Sequence, residues 1–198
     1  MERARRIGIF GGTFDPPHIA HILCATTAMD EGGLDEVVLM PAGDPYQKGA
    51  VASAEDRFAM TCLAAESSPD LSVSRMEIDR SGPSYSIETV DAFKAQSGGA
   101  EIFLIGGSDS IAGIRSWRHY ERLLDEVGFV VIPRTPASVK EALAVLGTGP
   151  EVILVAGLAQ LDISSTDIRA RVAEGLPVGH LVPSRVVNYI REHGLYQD

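Results

Sequence analysis

The stretch RRIGIFGGTFDPPHIAH, residues 5–21, sets an apolar run, two glycines, an Asp, two prolines and two histidines in immediate succession. RRIGIF, Arg5 to Phe10, predicts a buried strand bounded by Gly11 and Gly12. HIAHILCATTAMDEGG, residues 18–33, predicts a helix ended by Gly32 and Gly33. Pro16 and Pro17 suit the start of that helix, where a missing N–H costs nothing. A glycine pair between strand and helix is a weak signal alone, since such turns often need glycine for a positive φ. Its position matters more, because amides exposed there, with the helix N-terminus behind them, can face an anion.

The same order repeats along the chain. LDEVVLMPAG (34–43) reads as a second strand. SAEDRFAMTCLAAESSP (53–69) reads as a helix opened by Ser53 and Asp56 in capping-box spacing. LSVSRMEID (71–79) alternates like a third strand, and SYSIETVDAFKAQSGG (84–99) is a helix reached through serines. EIFLIGG (101–107) is a fourth strand, with a helical region following through IRSWRHYERLLDEV (114–127). GFVVIPR (128–134), ASVKEALAVLG (137–147) and EVILVAG (151–157) give strand, helix and strand. STDIRARVAEG (165–175) and SRVVNYIREHG (184–194) close the chain as helices. Apolar runs such as VVLM, IFLI and FVVI lack alternation, as expected for strands covered on both faces. The expectation is a doubly wound, Rossmann-like parallel α/β sheet with helices on both faces. Ligands bind such sheets beyond the carboxyl ends of the strands. GGTFDPPH and GGSDS both fall there.

The 198 residues suffice for one domain with a real core, and no linker announces a boundary. A single domain over 1–198 is expected, with a helical C-terminal part from about residue 164. Hydrophobic residues make up 45% and charged residues 22%, a usual balance for a soluble globular chain. No apolar run is long enough to span a bilayer, and the apolar stretch after the basic start is too short for a signal peptide. A cytoplasmic protein without membrane partners is the default expectation. The formal net charge is −10 and the pI about 4.9, which argues against nucleic acid as a partner. A phosphate site would have to be built locally from helix ends, histidines, Lys and Arg. Cys24 and Cys62 lie in apolar, helix-like stretches and form neither a disulfide framework nor metal-ligand spacing.

His18 and His21 should project from one face of their helix. Three readings compete. Zinc ligation lacks the Glu of H-E-x-x-H and an obvious third ligand. A purely structural pair could cap the loop. Two imidazole donors aimed at a phosphate chain would account for glycines, helix start and histidines together. Trp117 is the only Trp; a lone Trp commonly packs in a core, but its neighbours in RSWRHYER are strongly polar. Ser164 and Ser165 could simply cap a helix, and Arg169 could be solvated.

GGTFDPPHIAH resembles the GGTFDPxHxGH signature of the nucleotidylyltransferase superfamily. ISSTDIRARV, residues 163–172, resembles its second signature, ISSTxIR. With SYSIETV and GGSDSIAGIRSWRHYERL between them, the chain from about Gly8 to Tyr196 looks like the bacterial nicotinate-mononucleotide adenylyltransferase family. That resemblance implies ATP and nicotinate mononucleotide as substrates, Mg²⁺ accompanying ATP, and no metal site built from protein ligands. It implies that Gly11, Gly12, Thr13 and Phe14 border ATP with their backbone and that His18 and His21 contact its phosphates. Arg169 would clamp the triphosphate, with Ser164 and Ser165 closing from the far side. Gly106, Ser108 and Asp109 would lie near the adenosine. Lys48 would reach phosphate, on the mononucleotide side, and Tyr85, Ser86, Trp117 and Arg118 would form the nicotinate pocket. Homo-oligomer formation is left open.

The chain departs from the family pattern at several positions. Ala20 replaces the glycine of HxGH and adds a methyl where the helix is expected to approach the nucleotide. PYQK stands in place of PPHK, Ser86 in place of Thr, and Gly107 in place of Ala. A sister transferase acting on phosphopantetheine or nicotinamide mononucleotide, and a non-catalytic nucleotide-binding module, are the competing readings.

Overall fold

The computed structural model describes residues 3–45, 49–158 and 161–197. Lys48 lies outside the described residues. Strand β1 (Arg6–Gly12) is central in a six-stranded sheet with β2 (Glu36–Pro41), β3 (Leu71–Val73), β4 (Glu101–Gly107), β5 (Gly128–Ile132) and β6 (Val152–Leu154). The order is β3-β2-β1-β4-β5-β6 and every pairing is parallel. The winding reverses between β1 and β4, which run in register from Arg6 opposite Glu101 to Phe10 opposite Ile105. The glycine pairs ending these strands are thereby set side by side at the switch point, where the sheet opens a crevice.

The non-alternating apolar runs are explained by two covered faces. On one face Ile9, Met40, Leu104 and Val131 pack with Ile87 and Val90 of α3 (Ser86–Gln96) and Leu123 of α5 (Tyr120–Glu126). Ile111 of α4 (Ser108–Ala112) and Ala142 of α6 (Pro136–Leu146) complete that layer. On the other face Phe10, Leu39, Phe103 and Val130 meet Cys24, Ala25 and Ala28 of α1 (Ile19–Gly32) and Ala65 of α2 (Ala54–Ala65). Each strand residue in the sheet interior is buried whichever way it points, at about 1.5–3 kcal/mol for a full Val, Leu, Ile or Phe side chain. A third cluster joins α2 to α7 (Ser165–Ala173) and α8 (Ser184–Glu192) through Met60, Ile168, Val186 and Ile190.

Local signals account for most element ends. α1 stops at Gly33, whose φ of 55° admits the left-handed turn and returns its N–H to Met29 and Asp30. Ser53 caps α2 by accepting from the Asp56 amide at 3.1 Å. Three expectations are corrected. LSVSRMEID is a strand only over Leu71–Val73, because β3 pairs with β2 alone. Beyond it Ser74 Oγ accepts from the Met76 amide at 3.2 Å, and Asp79 N–H bonds to Arg75 O at 2.9 Å, so the chain curls out of the sheet. The 114–127 region is not one helix: Trp117 is extended and His119, at φ 52°, begins α5 from a left-handed conformation. Nor does a serine cap α3; its N-cap is Tyr85, while Ser84 Oγ accepts from the Gly43 amide at 3.0 Å.

Candidate active site

A cleft of about 860 Å³ lies beyond the carboxyl ends of β1, β4 and β5. Gly11, Gly12, Thr13, Phe14, His18 and His21 form one wall; Gly106, Gly107, Asp109 and Arg134 form the next. Ser164, Ser165, Thr166 and Arg169 face them from α7, and Glu77, Ser84, Ser86, Thr89 and Trp117 line the remaining recess.

The two glycines are strand residues with ordinary φ, and the left-handed position belongs to Phe14, at φ 50°. A Cβ on Gly11 would meet nothing within 4 Å, so this residue leaves open space on the cleft wall. A Cβ on Gly12 would stand 3.0 Å from the Phe14 ring. That ring is buried and lies edge-on to Phe10 and to His21, with centroids 5.9 and 5.0 Å away. Phe14 is thus a wedge beneath the histidines. An accommodating turn does not require glycine here; unfilled space above the backbone does. Gly11→Val should leave the melting temperature nearly unchanged, while raising KM for ATP about tenfold to a hundredfold. An unaltered ATP KM in steady-state kinetics would remove the backbone-approach reading.

His18 and His21 stack, with ring centroids 3.6 Å apart and planes 20° from parallel. The His18 amide donates to His21 Nδ1 at 3.2 Å. That bond makes Nδ1 an acceptor and leaves the proton of neutral His21 on Nε2. Burial, followed by the charge of Arg134, lowers the His18 pKa to about 4. Burial, then His18 and Arg134, hold His21 well below its ordinary value. Both rings are therefore neutral at pH 7 and offer N–H donors, while fixed positive charge comes from arginines. The helix N-terminus is less free than its sequence implies, because the Ile19 N–H is bonded to Leu181 O at 3.0 Å.

Arg169 is not solvated. Its Nη1 donates to Asp15 O at 2.8 Å, and its side chain is 25% exposed on the cleft wall. Ser164 Oγ caps α7 by accepting from the Asp167 amide at 3.1 Å, and Ser165 Oγ donates to Pro16 O at 2.8 Å. Ser165 thereby fastens α7 to the glycine-turn segment, while Ser164 closes the helix start on itself. Asp15 is the hub beneath them: its carboxylate accepts from the amides of Val51 and Ala52 at 2.6 and 3.1 Å.

Other expected residues are placed away from the cleft surface. Ser108 is fully buried; its Oγ lies 2.7 Å from Ser138 Oγ and accepts from the Arg134 amide at 3.0 Å. It sets the backbone of Arg134 from behind. Arg118 does not turn inward: its guanidinium sits 4.8 Å from the Tyr85 ring centroid and 3.6 Å from Glu88. Tyr85 and Arg118 form a layer behind the recess, of which Ser86 and Trp117 are the surface. Ala20 is buried and lines a small crevice that shares Arg134 and Leu161 with the cleft, without itself lining the cleft.

Arg134 and Glu77 were not anticipated. Arg134 follows β5 in GFVVIPR, and the rule that ligands bind at strand carboxyl ends was the available signal. Glu77 fell inside the supposed third strand. Its buried carboxyl accepts from Thr89 Oγ1 at 2.5 Å, and burial raises its pKa against the hydrogen bonds of Thr89 and Ser84 and the charge of Arg80. Among the described residues no group of three His, Cys, Asp or Glu is placed to hold a metal ion.

Comparison with known proteins places this architecture. The sequence model of the cytidylyltransferase-like family matches residues 9–171. The chain belongs to that family. A relative from Leifsonia xyli subsp. xyli, named probable nicotinate-nucleotide adenylyltransferase, is 44% identical over 197 residues, covering 99% of this chain and 96% of the relative. One from Mycolicibacterium vanbaalenii with the same name is 40% identical, covering 99% and 94%. Among solved structures, the Plasmodium falciparum nicotinic acid mononucleotide adenylyltransferase complexed with NaAD superposes with a TM-score of 0.82. At 20% identity, covering 97% of each chain, it shares the fold of this cytidylyltransferase-like protein. No helix among the described residues is long and apolar enough to cross a membrane.

Proposed function

We propose that this chain is a nicotinate-nucleotide adenylyltransferase, transferring AMP from ATP to nicotinate mononucleotide to give nicotinate adenine dinucleotide and pyrophosphate in NAD biosynthesis. The observation that carries it is the continuity of the cleft, which joins the glycine, histidine and arginine walls to the recess bearing Trp117 and the start of α3. Its size suits two nucleotides held end to end. Relatives sharing 40–44% of this sequence bear that name, and the neighbour with NaAD has this fold. Residues 1–198 act as one nucleotidylyltransferase domain in the cytoplasm, and the helical part from about residue 164 carries the clamp.

ATP lies along Gly11 to Phe14 with its adenosine toward Gly106 and Asp109. His18 and His21 donate to its phosphates, Arg169 and Arg134 supply positive charge, and Ser164 and Ser165 keep Arg169 in place. The attacking group is a phosphate oxygen of the mononucleotide. With a second pKa of about 6 it is largely dianionic at pH 7, and no general base is required. The protein's work is to hold two anions in line and stabilise charge on the departing pyrophosphate. Lys48 is assigned to the mononucleotide phosphate. Mg²⁺ would ride on the triphosphate, held mainly by nucleotide oxygens and water, and Asp162 on the cleft wall is a carboxylate that would accept from those waters. When bound it neutralises phosphate charge.

Nicotinate stacks on Trp117 beside Ser86. The amides of Ser84 and Tyr85 are bonded to Asp44 O and Pro83 O, whereas those of Ser86 and Ile87 have no acceptor within the helix. A carboxylate accepts from such donors and favours the helix N-terminus; an amide turns a donor toward them. Glu77 does not oppose it as a bare charge, being bonded to Thr89 and Ser84 beside Arg80. One mismatch, at about 1–3 kcal/mol, gives roughly tenfold to a hundredfold preference for the acid. The test is pyrophosphate release from ATP and Mg²⁺ with each mononucleotide. A kcat/KM higher for nicotinate mononucleotide is expected; equality, or preference for the amide, overturns the substrate assignment.

A further inference from the structure

The residues following α8 return to the catalytic cleft. Tyr196 is buried, and its hydroxyl donates to Asp15 Oδ1 at 2.7 Å across 181 positions of sequence. Its φ of 63° is a left-handed conformation that a residue with a ring adopts only where its surroundings hold it. Its ring packs in the cluster that contains Ile168, one residue from Arg169 on α7. Tyr196 therefore reaches the glycine-turn segment through Asp15, and its ring belongs to the apolar cluster on which the arginine helix sits.

Asp15 is 2% exposed and distributes what Tyr196 holds. Oδ1 takes the Tyr196 hydroxyl and the Ala52 amide, Oδ2 takes the Val51 amide, and the backbone carbonyl takes Arg169 Nη1 at 2.8 Å. Arg169 Nη1 is also 4.0 Å from Oδ2. Losing the phenolic donor would leave one carboxylate oxygen with a single partner in a water-poor site. The carboxylate would then rotate or draw the arginine toward itself. Either motion shifts the guanidinium that faces the cleft.

We infer that Tyr196 is a positioning residue for the transferase reaction, setting Arg169 in its working arrangement through Asp15. The inference rests on the reading of Arg169 as a triphosphate contact. A misplacement of well under 1 Å at a positioned group is enough for about a tenfold loss.

The test is a double-mutant cycle on the full chain. Tyr196→Phe keeps the ring and removes only the hydroxyl. It should lower kcat with ATP and nicotinate mononucleotide about tenfold, with the Kd for the mononucleotide alone unchanged and the secondary structure and cooperative melt retained. Arg169→Ala should be the more damaging single change, and Tyr196→Phe should cost at most twofold more in that background, because its route of action is gone. Asp15→Asn, which turns one of the two accepting oxygens into an NH₂ donor and removes the charge, should likewise reduce the effect of Tyr196→Phe. Full kcat in Tyr196→Phe, or an equal fold-loss with and without Arg169, overturns the positioning role. Unchanged ATP turnover in Arg169→Ala overturns instead the clamp on which it rests. If Tyr196→Phe lost its cooperative melt, a purely structural role would stand in place of this one.

Discussion

His18→Ala is expected to lose about a hundredfold in kcat while melting close to the unsubstituted protein. The ring is 4% exposed and its Nδ1 has no partner among the described residues, so no tertiary hydrogen bond depends on it. It lies on the cleft wall, stacked 3.6 Å from His21 and neutral because burial and Arg134 lower its pKa to about 4. A neutral imidazole supplies one N–H donor without the reorganisation a mobile charge would need, and donors fixed where charge develops act most strongly. His18→Gln, which retains an N–H donor, should recover part of the loss. Steady-state pyrophosphate release and a thermal melt suffice to check it. Full turnover in His18→Ala would refute the role, and a variant that fails to fold would favour the structural-pair reading of the two histidines.

The largest stability effect is expected at Arg57, not at a core hydrophobe. Its side chain is 1% exposed on α2. Nη1 donates to Thr13 O and Ala42 O at 2.9 and 2.6 Å, Nη2 to Gly43 O at 3.1 Å, and Nε to Ala52 O at 3.3 Å. One guanidinium thus ties the ends of β1 and β2 to the start of α2. Burial lowers its pKa, with Asp15 opposing the shift. Arg57→Met fills much of the volume but strips four carbonyls of their donor and leaves Asp15 with Arg169, 4.0 Å away, as its remaining cation. Removing one side of such a buried charged network costs about 3–5 kcal/mol. For a chain of this size that is a fall of about 10 °C in melting temperature. Differential scanning calorimetry checks it; a change under about 2 °C would mean that water enters and satisfies the carbonyls.

The sequence by itself determined the layered parallel sheet and the place of the cleft. Uninterrupted runs such as VVLM and FVVI are legible because both faces of the sheet are covered, and strand–glycine–helix succession is a local pattern. The nearness of His18 to His21 was legible from their spacing, although His18 proves to be the extended N-cap residue and His21 the third residue of the helix. Capping-box spacing already marked Ser53 as a cap, and a cap was one of the two readings open for Ser164.

Only the tertiary structure decided what each polar side chain is committed to. Phe14, not a glycine, takes the left-handed turn, since it is wedged under Phe10 and His21. Ser108 goes to Ser138 and Arg134, and Arg118 to Tyr85 and Glu88, because those partners arrive from other elements. Arg134 enters the cleft because β5 ends beside β4, a neighbour relation fixed by strand order. Tyr196 meets Asp15 because α8 packs on α2 and returns the chain to β1. A periodicity records how buried a position is, but not which donor will face which acceptor. That pairing is settled by elements far apart in sequence, each of whose buried polar groups must find a partner once water is excluded.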